Sequence, residues 1–275
     1  MKIQELIDQV SQRVIHQNRF QYFLILLVVL AWTGCSSSDS VPAVSLTVSA
    51  AASLTFAFEE IKPLFERETG IRIAYNFGSS GQLARQIEQG APVDLFASAN
   101  PAYIEELEKQ GLTLPDTRTL FARGSLVLWS RRDGPTRLES LEDLLRPDLK
   151  RFAMANPDYA PYGVAARQAL SRAGLWEKLQ PKLILGQHVR QTLHYAESGN
   201  VGAGLVALSL VQQGQGRWVL VDEDFYAPIY QALAVVKTTK RPSEARGFVA
   251  FVNTPRAQSI LHKYGFLPPP GALPL

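Results

Sequence analysis

Three times between Leu46 and Gly111 a short β-branched segment is followed by a segment with helical apolar spacing, and this alternation confines the chain to an α/β architecture built on a mostly parallel sheet. Residues 46–50 predict a strand, and residues 54–68 a helix with Leu54, Phe58, Ile61 and Phe65 on one face. A second strand over 71–77 precedes a helix over 82–89 that Gly90 stops. A third, over 93–97, leads to Asn100-Pro101, a capping residue with proline at the first helical position, and a helix ending at Gly111. Beyond residue 122 the order is less regular. Strands are predicted over 126–130, 151–155, 182–185, 203–207 and 218–221, with helices over 138–145, 163–173 and 189–197. A β-rich apolar run over 230–237 and helices over 244–252 and 256–264 close the chain. The arrangement predicts two α/β lobes, one from 46–122 plus 233–268 and one from the inserted 123–232, joined by two crossing strands and able to shut around a ligand by hinge motion.

The N-terminal segment sets the compartment. Ten apolar residues from Phe23 to Trp32 follow Lys2, Arg13 and Arg19, with no acidic residue between Asp8 and Asp39, the composition of a secretory signal. Ten residues are too short to cross a hydrocarbon core of about 30 Å, which needs about 20 in a helix. Residues 1–34 are therefore expected to be a cleaved signal. Gly34-Cys35 at its end resembles a bacterial lipobox, which implies that Cys35 is acylated and anchors the exported protein through a tether over 35–45, although Trp32 stands where that motif usually has leucine. The alternative is a plain cleaved signal.

Composition excludes several classes. Cys35 is the only cysteine, so the exported domain has neither a disulfide nor a thiolate metal site, and an apolar fraction of 46% must hold it together. The net charge of +3 comes without a Lys/Arg cluster of the kind that binds nucleic acid. His16, His188, His194 and His262 lack metal-ligand spacing. No cofactor is expected.

Two short strings each end a strand and open a helix. They are Ala50-Ala51-Ala52-Ser53-Leu54-Thr55 and Phe77-Gly78-Ser79-Ser80-Gly81-Gln82. Small residues leave their backbone accessible, and serines at helix starts add hydroxyls to free first-turn amides. The product is a cluster of donors with a positive dipole end and no formal charge, a setting for an anion. Ordinary helix caps would look the same.

These strings, together with Gly90-Ala91-Pro92-Val93-Asp94, Asn156-Pro157-Asp158-Tyr159-Ala160-Pro161-Tyr162-Gly163, His188-Val189-Arg190-Gln191 and Lys263-Tyr264-Gly265-Phe266, resemble the molybdate-binding proteins of bacterial ABC importers. The resemblance runs from about Leu46 to Phe266. It implies the two-lobed periplasmic-binding-protein fold of the second type, a protein that binds rather than catalyses, and a permease and ATPase as membrane partners of a monomeric receptor. It also implies that Ser53 and Ser80 give hydroxyls and amides to a tetrahedral oxoanion, while Tyr162 and Val189 give backbone amides. The serines and Val189 would touch the oxygens of molybdate rather than its metal. One branch of the family has a ligand-contacting tyrosine where this chain has Ala207, and the ring hydroxyl of Tyr162 is expected to replace it.

The chemistry of the strings is consistent with that implication. A dianion without a proton needs donors only, whereas phosphate would need a carboxylate to accept its remaining proton. Neither serine string contains Asp or Glu, and Asp94 and Asp158 are expected to point elsewhere. Molybdate and tungstate are expected to bind, with sulfate weaker because it is smaller. Other readings stay open: a receptor for sulfate, thiosulfate or a ferric chelate, or a sensor module on the same fold. Gly78-Ser79-Ser80-Gly81 is not a nucleophile elbow, and no histidine lies in a segment expected to face Ser53 or Ser80 as a base, His188 beside Val189 being the nearest, which argues against a hydrolase. Arg85, Arg167 and Arg190 are expected to be solvated or interlobe charges.

Overall fold

The computed structural model describes residues 44–134 and 137–271. The signal segment and Cys35 lie outside the described residues. Two five-stranded sheets carry the architecture. The first has the order β2-β1-β3-β10-β4, from β1 (Ser45–Ala51), β2 (Arg72–Gly78), β3 (Leu95–Ser98), β4 (Thr119–Gly124) and β10 (Ile229–Val235). The second has the order β7-β6-β8-β5-β9, from β5 (Leu126–Ser130), β6 (Phe152–Ala155), β7 (Leu183–Gly186), β8 (Ala203–Ala207) and β9 (Arg217–Leu220). In each sheet four strands run one way and one opposes them: β10 in the first and β5 in the second. Those two opposing strands are the ones entered by crossing from the other sheet. The first sheet holds Arg123, Gly124 and Ile229–Ala232 as well, because the β4–β10 hydrogen-bond register continues through them.

The helices follow from capping and periodicity. Helix α1 (Thr55–Thr69) buries Phe58, Ile61 and Phe65 and stops at Gly70, whose φ of 71° suits glycine. Helices α2 (Ser80–Glu88) and α3 (Pro101–Lys109) follow β2 and β3, and the Asn100 side chain accepts from the Ala102 amide to cap α3. In the second lobe α4 (Pro161–Arg172), the short α5 (Trp176–Leu179), α6 (Val189–Glu197) and the single turn α7 (Leu208–Val211) follow β6, β7 and β8. The C-terminal helices α8 (Pro242–Val252) and α9 (Pro255–Lys263) return to the first lobe. There Phe248 meets Phe65 and Phe58 edge-on at ring separations of 5.2 and 6.0 Å. Glu60 on α1 ties the chain end down, accepting from Lys263 Nζ and from the Tyr264 hydroxyl, at 2.7 and 2.8 Å.

Because β1, β2 and β3 are parallel, their C-terminal ends and the helix starts that follow share one edge; the same holds for β6, β7 and β8 in the second sheet. Ligands of open α/β sheets collect at such edges. Here the two edges face each other across the cleft.

Candidate oxoanion site

A small cavity lies between the two edges, with about 10 Å³ open to a water-sized sphere, on the scale of a single water. It is lined by the first lobe through residues 51–53, 78–80 and 99, and by the second through residues 160–162, 188 and 189. Ser53, Ser80, Tyr162 and Val189, from four separate helix starts, are thus brought to one place. No lining residue is Asp, Glu, Lys or Arg. Roomier hollows open elsewhere on the second lobe, but one mixes Arg131 and Arg132 with Asp133 and Glu197.

The donors are free while the nearby acceptors are engaged. Ser53 sits in a 3-10 turn, Ala52–Leu54, between β1 and α1, and its buried Oγ has no hydrogen-bond partner among the described residues. Its carbonyl, which would repel an anion, accepts from Ser209 Oγ at 2.7 Å. Ala52 O accepts from Thr55 Oγ1 at 2.8 Å. Ser80 is the first residue of α2, one place beyond the N-cap Ser79. Its Oγ accepts from the Ala99 amide at 2.9 Å, which leaves the hydroxyl proton to donate into the cavity. Tyr162 and Val189 occupy first-turn positions of α4 and α6, where backbone amides have no intrahelical acceptor.

Two residues deserve a charge account. The His188 Nδ1 accepts from the Gln191 amide at 3.1 Å and caps α6, so the ring proton sits on Nε2. Burial, and then the Arg190 charge, push its pKa below the usual histidine value, which keeps it neutral. Burial pushes the Tyr162 phenol well above the ordinary tyrosine range, so it stays an O–H. The Ser53 and Ser209 hydroxyls favour its ionised form from nearby, but burial outweighs them and neither meets it in hydrogen-bond geometry.

Several contacts cross the cleft. The Gly81 amide donates to Tyr159 O at 2.9 Å. A Cβ on Gly81 would stand 2.8 Å from that same oxygen and from the Tyr103 hydroxyl, so only glycine permits the approach. The Arg190 guanidinium lies over the Phe56 ring at 5.6 Å, an interlobe contact, whereas Arg167 stacks on Trp176 within its own lobe at 5.2 Å. Arg85 is exposed on α2.

Asp94 faces away from the cavity, with one carboxylate oxygen accepting from the Thr47 amide at 2.8 Å and the other from the Thr239 hydroxyl. Asp158 is exposed. Ala207 is fully buried at the end of β8 and does not line the cavity. Sequence reasoning missed Ala99 and Ser209, because neither belongs to a serine string at a predicted helix start; only the tertiary fold brings the Ala99 amide to Ser80 and the Ser209 hydroxyl to Ser53. His188, the histidine that the sequence reading expects nearest the serine strings, serves as the N-cap of α6 through its Nδ1.

Residues 46–267 match the family model for bacterial extracellular solute-binding proteins. The chain is 37% identical to the molybdate-binding protein ModA of Rhodobacter capsulatus over 79% of this chain and 86% of that one. It is 35% identical to the putative ABC transporter substrate-binding lipoprotein YvgL of Bacillus subtilis, over 89% and 96% respectively. Among solved structures, the Azotobacter vinelandii periplasmic molybdate-binding protein superposes with a TM-score of 0.78 at 32% identity, over 82% of this chain and 99% of that one.

Proposed function

This chain belongs to the family of bacterial extracellular solute-binding proteins, and we propose from that premise that it captures molybdate outside the cytoplasm and delivers it to the permease of an ABC importer. The observation that carries the reading is the donor-only cavity. Hydroxyls of Ser53 and Ser80 and first-turn amides of α4 and α6 point to one small space, while the carbonyls of Ala52, Ser53 and Tyr159 are already bonded. A fully deprotonated tetrahedral dianion is stable in such a place because every oxygen finds a donor and none meets an acceptor. The relatives at 37% and 32% identity named above are molybdate-binding proteins, which supports molybdate over other oxoanions.

Tungstate, nearly equal in size, binds too, and sulfate binds more weakly because donors set for the larger ion leave it with stretched bonds. About six charge-assisted bonds at roughly 1.5–3 kcal/mol each, less several kcal/mol for closure and lost motion, put the affinity between micromolar and nanomolar. Residues 1–34 direct export, and acylated Cys35 tethers the receptor at the membrane surface. The relative of Bacillus subtilis bears the name of a lipoprotein, which supports that part of the reading. Calorimetry with molybdate, tungstate, sulfate and phosphate tests the proposal. Tight, equal binding of the first two with much weaker sulfate and phosphate is expected; sulfate binding as tight as molybdate would overturn it.

A further inference from the structure

Strand β4 ends at Gly124, whose partner in the register is Ile229, the first residue of β10. The pair marks the place where both crossing segments leave one sheet for the other, the position expected of a hinge between the lobes. Tyr226, on the returning segment, spans it by accepting from the Leu126 amide with its hydroxyl at 3.1 Å. Two buried side-chain oxygens near this point have no hydrogen-bond partner among the described residues: the Tyr162 hydroxyl and Gln231 Oε1. They come from different lobes, Tyr162 from the start of α4 and Gln231 from β10, beside the register shift between Gln231 and Ala232.

Gly124 lies between them. A Cβ at this position would overlap the phenol oxygen of Tyr162, and would stand 3.2 Å from the ring carbon that bears it and 3.4 Å from Gln231 Nε2. The missing side chain therefore leaves a notch that the phenol fills, with the Gln231 carboxamide at its side. Gln231 uses Nε2 to donate to Ile229 O at 3.2 Å, so a second N–H and the whole of Oε1 remain for a neighbour. Buried polar atoms rarely persist unpaired, and these two are complementary in kind.

We propose that Gly124 and Gln231 position Tyr162: shutting the cleft seats the phenol in the hinge, and the seated ring sets where the Tyr162 amide meets the anion. The inference rests on the reading of the cavity as the oxoanion site. The seated hydroxyl also lies near the hydroxyls of Ser53, which lines the cavity, and Ser209, so the ring links the crossing strands to the cavity wall.

The test compares the wild-type protein with Gly124→Ala, the double variant Gly124→Ala/Tyr162→Phe, and Gln231→Leu. The readouts are molybdate affinity by calorimetry, compaction on adding molybdate by small-angle scattering, and the melting temperature without ligand. Gly124→Ala is expected to weaken binding at least about tenfold and to leave the molybdate-saturated protein expanded. Adding Tyr162→Phe removes the overlapping atom, so compaction and melting temperature recover although a ligand-facing residue has changed. Gln231→Leu is expected to weaken binding about fivefold, the scale of one hydrogen bond. Wild-type affinity in Gly124→Ala, or a double variant no more compact than the single, would overturn the proposal. If Gly124→Ala does not fold, Gln231→Leu decides, and unchanged affinity and compaction in it are the overturning result. If the wild type binds no oxoanion, the reading of the cavity fails separately. The ligand-free melting temperatures then judge the notch: a double variant more stable than Gly124→Ala supports it, and equal values overturn it.

Discussion

Ser53 and Ser80 offer the same hydroxyl group to the cavity by different routes, one with no partner and one whose oxygen is filled by the Ala99 amide. Each is expected to lose about 1–3 kcal/mol of ligand affinity on change to alanine, with little loss of fold, because one donor to a charged group disappears; calorimetry on Ser53→Ala and Ser80→Ala reads this directly. Ser53→Asp places a carboxylate among donors meant for an anion and should abolish molybdate binding; retained binding would mean that the pocket lies elsewhere. His188 makes a prediction in pH. Its depressed pKa means that the unfolded chain takes up a proton near pH 6.5 before the folded one does. The stability tied to the neutral ring is fully present above that pH and is lost as pH falls through 6.5 toward the lower folded value. His188→Asn keeps a capping acceptor without a titrating group. The ligand-free wild type should therefore lose melting temperature more steeply than the variant between pH 7 and 5, and parallel curves would remove the imidazole from the account.

At the scale of elements, the aromatic contact of α8 with α1 is what closes the first lobe, and Phe248→Ala is expected to cost about 3–5 kcal/mol in urea unfolding through the cavity it leaves. The strand–helix units that build this lobe were legible from the sequence because each helix carries a cap or stop and a buried face of regular spacing, as in α1 and α3. Strand β4 was not. Its residues Phe121 and Ala122 are both buried where an alternating strand would bury only one, because the β4–β10 register shifts between Gln231 and Ala232. The short α5 and α7 carry too few residues to show a period. The candidate site divides in the same way. The serine strings and the two second-lobe helix starts can be picked out locally, whereas the atoms that neutralise carbonyls or fill hydroxyls come from 19 and 156 residues away in sequence.

At the scale of the whole molecule, a ligand that holds the lobes together stabilises the fold by mass action, by about 2.7 kcal/mol at a hundredfold excess over its dissociation constant. Thermal melting with an oxoanion panel should rank molybdate and tungstate together above sulfate, and a flat response to molybdate would deny it a place in the cleft. The bond from Ser209 to the Ser53 carbonyl carries a further consequence for opening. It runs from α7, beyond β8 of the second sheet, to the turn after β1 of the first, so it exists only while the halves are in contact. Opening the cleft would break that bond and leave the oxygen to water, so the contact that masks a carbonyl from an anion also favours the shut form.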